Sequence, residues 1–292
     1  MLKSFFRKLP VIRQFLEANR NLKLIVNECA ATKRLEQESA IEFLKAQPRY
    51  SDSQCLIRYE AQFFSQNGED GILAEIFRRI GTTNQRFVEI GIGNGLECNT
   101  TFLLQQGWQG WWFEASEEGC AEALEIFKGP VERKSLRITQ SFVQTESVDR
   151  LFKDNEIPQE FDLLSIDVDR NTYYIWEALS AYHPRAVVIE YNGLIPPTIE
   201  YQVPYDPDAE WDGSVQLGAG LKNYESLGNR LGYRLVGCEL TGVNAFFVRE
   251  DLIGDHFLEP FTAERHFEPM RLHLLRDTPY PRKFEWDATS LK

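Results

Sequence analysis

The stretch Phe87-Val88-Glu89-Ile90-Gly91-Ile92-Gly93-Asn94-Gly95 is an apolar run that breaks into three glycines, the pattern of a buried strand entering a tight turn. A glycine-rich turn at the end of a strand lets backbone N–H groups approach a ligand closely. The spacing is G-x-G-x-G with Glu89 two residues before the first glycine. The dinucleotide fingerprint is instead G-x-G-x-x-G. A carboxylate at that place repels a pyrophosphate and suits a ligand with an amino-acid tail and a cationic centre.

S-adenosylmethionine is such a ligand, and the downstream sequence supplies further expected contacts. Gly110-Trp111-Trp112-Phe113-Glu114-Ala115-Ser116 reads as a second strand ending in an acid. Glu114 falls about 20 residues after the turn, where a doubly wound sheet places a ribose-binding carboxylate. Its rival role is that of an N-terminal acid for the following helix, Ser116 to Phe127. Arg137 to Gln140 reads as a third strand, and its exit residues Ser141, Phe142 and Val143 are candidates for an adenine wall. Gln66, Glu69 and Asp70, in the loop Phe63 to Asp70, can fold over the cofactor mouth and contact the donor's polar tail; a capped helix start explains the same residues. The expected donor set is therefore Gln66, Asp70, Glu89, Gly91, Gly93, Gly95, Glu114, Ser141, Phe142 and Asp167.

Asp167 follows a fourth strand, Phe161 to Ile166, together with Asp169, Arg170 and Asn171. A fifth strand, Ala186 to Ile189, ends in Glu190-Tyr191-Asn192. Ligands of a doubly wound sheet lie at the carboxyl ends of its strands. Asp167, Asp169, Glu190 and Asn192 are hard oxygen donors of the kind Mg²⁺ or Mn²⁺ accepts. Without an ion, Arg170 or raised pKa values must answer for the crowded acids, and Asp167 or Asp169 then serves as a general base. Tyr233 to Cys238 and Asn244 to Val248 form a last strand pair. The expected fold is α/β, a Rossmann-like doubly wound sheet of seven strands with a closing antiparallel hairpin.

The domain plan is an N-terminal helical arm over residues 1–55, the sheet domain over 56–250 and a C-terminal extension over 251–292, with one helix near Ala263 to Leu275. Within the sheet domain, Leu194 to Ser214 carries four prolines and the aromatic residues Tyr201, Tyr205 and Trp211. It is expected to be an acceptor-side lid, and aromatic faces beside acids suit a sugar; lid packing explains them equally. The net charge of −12 argues against nucleic acid as a partner. Met1 to Ile25 runs against that charge, with Lys3, Arg7, Lys8, Arg13, Arg20 and Lys23 against Glu17, interleaved with apolar residues. Two readings stand: an interfacial helix on an anionic membrane, or an arm packed on the body or on a second subunit of a homo-oligomer. No stretch is long and apolar enough to span a bilayer. Five scattered cysteines fit neither a disulfide framework nor a zinc site, so a cytoplasmic place is expected, peripheral at the inner membrane if the arm binds lipid.

The alternating units, the acid-led glycine turn, the acid ending strand two and the final hairpin resemble the class I S-adenosylmethionine-dependent methyltransferases over roughly residues 60–250. Ser65-Gln66-Asn67-Gly68-Glu69-Asp70, Phe87-Val88-Glu89-Ile90-Gly91, Ser165-Ile166-Asp167-Val168-Asp169 and Val188-Ile189-Glu190-Tyr191-Asn192 are similar to a branch near the FkbM-type methyltransferases. That resemblance implies donor binding by Glu89, Gly91, Gly93 and Glu114, with Asp167 beside the transferring methyl. It also implies O-methylation of a hydroxyl on a glycan or glycosylated metabolite, in surface-polysaccharide or secondary-metabolite synthesis. The chain lacks the acid-glycine-alanine-asparagine turn and the lysine-led fourth strand of FkbM-type proteins proper, and Arg170 stands where glycine is expected in this branch. The rival functions are a membrane-associated scaffold without catalysis and an NAD-linked oxidoreductase.

Overall fold

Seven strands form one sheet in the order β3-β2-β1-β4-β5-β7-β6. They are β1 (Arg86–Ile90), β2 (Gln109–Glu114), β3 (Leu136–Gln140), β4 (Leu163–Ile166), β5 (Ala186–Glu190), β6 (Tyr233–Cys238) and β7 (Asn244–Arg249). The computed structural model describes residues 10–208 and 213–275, so Lys3, Arg7 and Lys8 of the basic segment and Trp211 of the lid lie outside the described residues. The chain divides into two compact units, Met1–Gln47 and Pro48–Lys292.

β1 to β5 are parallel; of these β1, β4 and β5, inside the sheet, are mostly apolar and buried on both faces, as strands covered by helices must be, whereas the edge strand β3 is largely part-exposed. Alternation sends neighbouring side chains to opposite cores: Phe87, Trp112 and Leu163 to one, Val88, Phe113 and Leu164 to the other. β7 runs antiparallel between β5 and β6, with Glu190 opposite Asn244. This is the Rossmann-like doubly wound arrangement with a terminal hairpin. The hairpin does not close the sheet: β3 and β6 remain its edges. The fourth strand starts later than the apolar run suggests, because the buried carboxylate of Asp162 turns to accept from the backbone N–H groups of Thr83, Asn84 and Gln85.

Among the described residues of the sheet unit, eight α-helices accompany these strands: α2 (Glu69–Ile80), α3 (Thr101–Gln105), α4 (Glu117–Ile126), α5 (Lys128–Glu132), α6 (Val148–Asp154), α7 (Thr172–Ala178), α8 (Leu221–Leu231) and α9 (Ala263–His266). α4 is capped by Ser116, whose Oγ accepts from Gly119 N, and α8 ends at Gly232 in the left-handed conformation. The helix expected from Ala263 to Leu275 stops at His266. Pro269 disfavours helical backbone at the residue before it, and that residue, Glu268, is instead bonded to Tyr50, Arg49 and Arg271.

The N-terminal unit contains α1 (Pro10–Lys45), 36 residues without an internal glycine or proline. Its Leu22, Leu24, Ile25, Val26, Leu35 and Phe43 are exposed and do not fall on one stripe. Among the described residues no helix is long and apolar enough to cross a membrane.

The register decides where a ligand can sit. Ile90 lies opposite both Phe113 and Ile166, and Ile166 lies opposite Ile189, so four parallel strands end at one level. From β1 the chain moves outward through β2 to β3, then returns to place β4 on the other side of β1. That reversal leaves a crevice between the exits of β1 and β4.

Candidate functional site

The crevice is a cleft of about 730 Å³, lined in part by Gly91, Gly93, Glu114, Phe142, Asp167 and Glu190. Gly91 has φ of 85°, and a Cβ there would lie 1.7 Å from the carbonyl oxygen of Asp167. Only glycine lets the exits of β1 and β4 pass so closely. Gly93 has φ of 54°, and a Cβ there would meet no atom within 4 Å, so its backbone borders open space in the cleft.

Glu114 joins the two halves of this turn. Its carboxylate accepts from the N–H groups of Ile92 (3.0 Å), Gly93 (2.6 Å) and Ser116 (2.8 Å). An ionised carboxylate offers about four acceptor positions, so roughly one remains for a ligand hydroxyl. The acid therefore shapes the turn, sets the start of α4 and still faces the cleft. Of the two roles expected from its spacing, the helix-start acid is the one its bond to Ser116 N performs.

Gln66, Ser141 and Val143 also line the cleft, whereas three expected donor residues stand behind it. Glu89 turns away from the ligand space and accepts from Asn99 N (2.9 Å), Thr100 N (3.1 Å), Thr100 Oγ1 (2.5 Å) and Ser165 Oγ (3.2 Å). It ties the chain after the turn back to β1. Asp70 accepts from the N–H groups of Phe63, Phe64 and Ser65, holding the loop that carries Gln66. At Gly95 a Cβ would press on the rings of Trp112 and Phe127 at 2.6 and 2.7 Å, so this glycine serves packing. Two residues outside the expected donor set take part. Glu69 receives Asn67 N, Gly68 N and Asn244 Nδ2, fastening the Gln66 loop to β7. Asn171 lines the cleft, donates to Asp206 O at 2.8 Å, and keeps a buried Oδ1 without a partner.

Burial pushes Glu89 and Glu239 up to about 7 and Asp70 up to about 6, against the hydrogen bonds that pull each down. In the unfolded chain these acids return to their ordinary range near 4. Between the two values the folded state holds more protons, so stability is greatest at the acidic end and is lost as pH rises. The melting temperature is expected to fall as pH is raised from about 5.5 to 8, and Glu89→Gln should flatten part of that slope. A melting temperature that climbs over this range in a pH-series thermal scan would contradict the dominance of burial over the hydrogen bonds at these acids.

Across the cleft from the glycine turn stand Asp167, Asp169 and Glu190, which can each place one oxygen within 4.8 Å of the others. Asp167 opens onto the cleft while protein surrounds it otherwise; that enclosure, then the charge of Asp169, raises its carboxyl to about 6. Glu190 is raised well above the usual range by burial, by Asp167 and by Asp169, and is hydrogen-bonded to Asp167. Burial and mutual repulsion thus favour a proton on this pair, with Glu190 the more strongly raised of the two. Asp169 holds φ of 48°, a left-handed conformation uncommon outside glycine.

Two expectations for this cluster change. Asn192 does not join the acids: it is fully buried, donates Nδ2 to Val215 O (2.9 Å) and accepts from Leu194 N (3.1 Å). Its side chain is occupied in fastening the lid. Arg170 donates to Gln216 Oε1 at 3.3 Å and, among the described residues, makes no ion pair with the acids.

Neither a protein-family model nor a curated protein matches this chain. Solved structures similar to it include the O-methyltransferase from Bacillus cereus in complex with SAH, 16% identical, covering 74% of this chain and 89% of that one at a TM-score of 0.41. Magnesium protoporphyrin IX methyltransferase (ChlM) from Synechocystis PCC 6803 with bound SAM is 14% identical, covering 74% and 96% at a TM-score of 0.43. The N-terminal domain of EvdMO1 with SAH bound is 12% identical, covering 65% and 80% at a TM-score of 0.41. Likeness this distant carries no statement about activity.

Proposed function

We propose that the cleft binds S-adenosylmethionine and that the protein transfers the methyl group to an acceptor hydroxyl. The observation that carries this reading is the facing of two unlike halves across one cleft. On one side Glu114 braces a glycine turn with open space at Gly93; on the other stand the acids of β4 and β5. Gln66, Gly91, Gly93, Glu114, Ser141 and Phe142 are the residues that would hold the donor. When bound, S-adenosylmethionine supplies an electrophilic methyl on a sulfonium centre.

The work of the chain is positioning and proton removal. Asp167 would accept the acceptor's O–H, orient the oxygen, and take its proton as the O–C bond forms and the methyl's bond to the sulfonium sulfur breaks, with S-adenosylhomocysteine as the leaving group. Its raised pKa, near the operating range, suits a base that must hold that proton. Glu190, the more strongly raised of the pair, would keep its proton and steady the second oxygen of Asp167. Asp167→Asn is expected to lower the rate of S-adenosylhomocysteine formation, followed by mass spectrometry over a panel of hydroxylated acceptors, by about 10²–10⁴-fold. Donor affinity should stay unchanged, and a wild-type rate would remove Asp167 from the chemistry.

A second reading of the same acids rests on their spacing, since three hard oxygens within 4.8 Å also suit Mg²⁺ or Mn²⁺. Mn²⁺ should then raise the melting temperature of the wild type and not that of Asp169→Asn. No shift in either protein would leave the acid pair as the sole device. The glycan half of the expectation draws on the family resemblance alone. The basic arm is proposed to meet an anionic bilayer or a second copy. Deleting residues 1–25 should abolish salt-sensitive sedimentation with anionic liposomes; loss of a dimer instead would mark the arm as a subunit contact.

A further inference from the structure

A second cleft, of about 540 Å³, lies at the opposite end of β2 and β3 from the candidate donor site, and the two clefts share no lining residue. Trp111 stands in it, half-buried, with Arg86, Lys134 and Arg137 as its cations and Glu156 as its one carboxylate. That balance runs against the net charge of −12 of the whole chain. The sheet register explains how the side chains meet. Arg86 pairs with Gln109 and Trp111 with Arg137, and alternate residues of a strand share a face, so Arg86, Trp111 and Arg137 project on one side of the sheet.

One backbone carbonyl holds two of these side chains together. Asn155 O accepts from Trp111 Nε1 at 3.0 Å and from Arg137 Nη1 at 3.2 Å. A guanidinium has five N–H donors, so this bond leaves most of Arg137 to offer. Neighbouring cations are occupied differently: Lys128, Arg150 and Lys153, on α5 and α6, each pair with a carboxylate one turn along the same helix, Glu132, Asp154 and Asp149. Arg86, Lys134 and Arg137 pair with no carboxylate among the described residues. The C-terminal ends of α5 and α6 favour a nearby cation and account for the bond of Arg137 to Asn155. They ask nothing of Arg86, at the start of β1.

We infer that this cleft is a second ligand site, for a small molecule that joins a doubly charged anion, such as a phosphate monoester, to a flat ring. The anion meets Arg86, Lys134 and Arg137, and the ring lies against Trp111, where stacking adds to the charge attraction. The volume falls in the range of small-molecule sites. A single negative charge would leave the three cations in excess even beside Glu156, and an anion without a ring would leave the indole uncovered. The inference is independent of methyl transfer, since the acids and the glycine turn lie at the other end of the strands.

The probes are phenyl phosphate and inorganic phosphate, titrated calorimetrically into the full chain at low salt and mildly alkaline pH, where both are mostly dianions. Phenyl phosphate is expected to bind at one site per chain, about tenfold tighter than inorganic phosphate because of its ring, and to bind more weakly as sodium chloride is raised. The double variant Arg86→Gln, Lys134→Gln should lose at least about tenfold in phenyl phosphate affinity. Its melting temperature should stay at the wild-type value, because neither side chain bonds to another described residue. Trp111→Leu should bring the two probes to equal affinity. No binding of phenyl phosphate overturns the inference. Equal affinity for the two probes in the wild type, or binding that survives the double variant, would mean an adventitious ion only and overturns it too. A preference for phenyl phosphate that persists in Trp111→Leu, or displacement of the probe by S-adenosylhomocysteine, would place the ligand elsewhere and overturn it as well.

Discussion

Gly91→Ala is expected to leave no stably folded protein. Its added methyl would sit 1.7 Å from the carbonyl oxygen of Asp167, which is backbone and not the movable end of a side chain. Neither strand exit can step aside, because Asp167 N is bonded to Ile90 O and Gly91 N to Phe113 O, each at 2.9 Å. The φ of 85° adds strain for any residue with a Cβ. A backbone overlap of that size belongs with changes costing more than about 4–5 kcal/mol, a large part of the roughly 5–15 kcal/mol that holds a domain together. Gly93→Ala is the control, with a positive φ but empty space where the methyl would go. It should fold with a penalty of about 1–2 kcal/mol and bind the donor more weakly, since the methyl enters the cleft. Thermal unfolding of both variants checks this; a Gly91→Ala protein that melts like the wild type would show that the two exits do not pass as described.

Glu114→Ala should weaken S-adenosylhomocysteine binding about 10²-fold and lower the melting temperature as well. The affinity loss corresponds to about 2.7 kcal/mol and comes from removing the carboxylate and loosening the turn that borders the ligand. The stability loss follows from stranding the N–H groups of Ile92, Gly93 and Ser116, which costs about 1–3 kcal/mol when such donors lose their only acceptor. Calorimetry and a thermal scan on the same sample separate the parts. Lower stability with unchanged affinity would make Glu114 a brace alone; lower affinity with unchanged stability would make it a ligand alone.

The inner strands were legible because burial on both faces forces a composition that loops and amphipathic helices do not share, as Ala186 to Ile189 and Phe87 to Ile90 illustrate. The place of Glu114 at the end of β2 was legible because the distance between successive parallel strand ends is set by one intervening helix. Glu89 and Asp70 were not, since a carboxylate that grips a ligand and one that grips its own backbone have the same type and spacing. Only the return of Asn99 and Thr100 to Glu89, and of Phe63, Phe64 and Ser65 to Asp70, separates the two uses. Asn192 failed as a metal ligand for a related reason. A strand end points its residues at a crevice, but a lid crossing that crevice competes for them, and Val215 and Leu194 took the carboxamide. The length of α9 was overestimated because helical spacing continues in the letters past His266, while Glu268 is drawn out of line by Tyr50 and two arginines.

The central claim is that the crevice between β1 and β4 is a donor site for S-adenosylmethionine. Isothermal titration of the full chain with S-adenosylmethionine, S-adenosylhomocysteine and NAD(H) tests it most directly. The account predicts saturable binding of the first two at one site per chain and no heat from NAD(H). Binding of NAD(H) alone would make the protein an oxidoreductase, and binding of none would leave it a scaffold; either result contradicts the account.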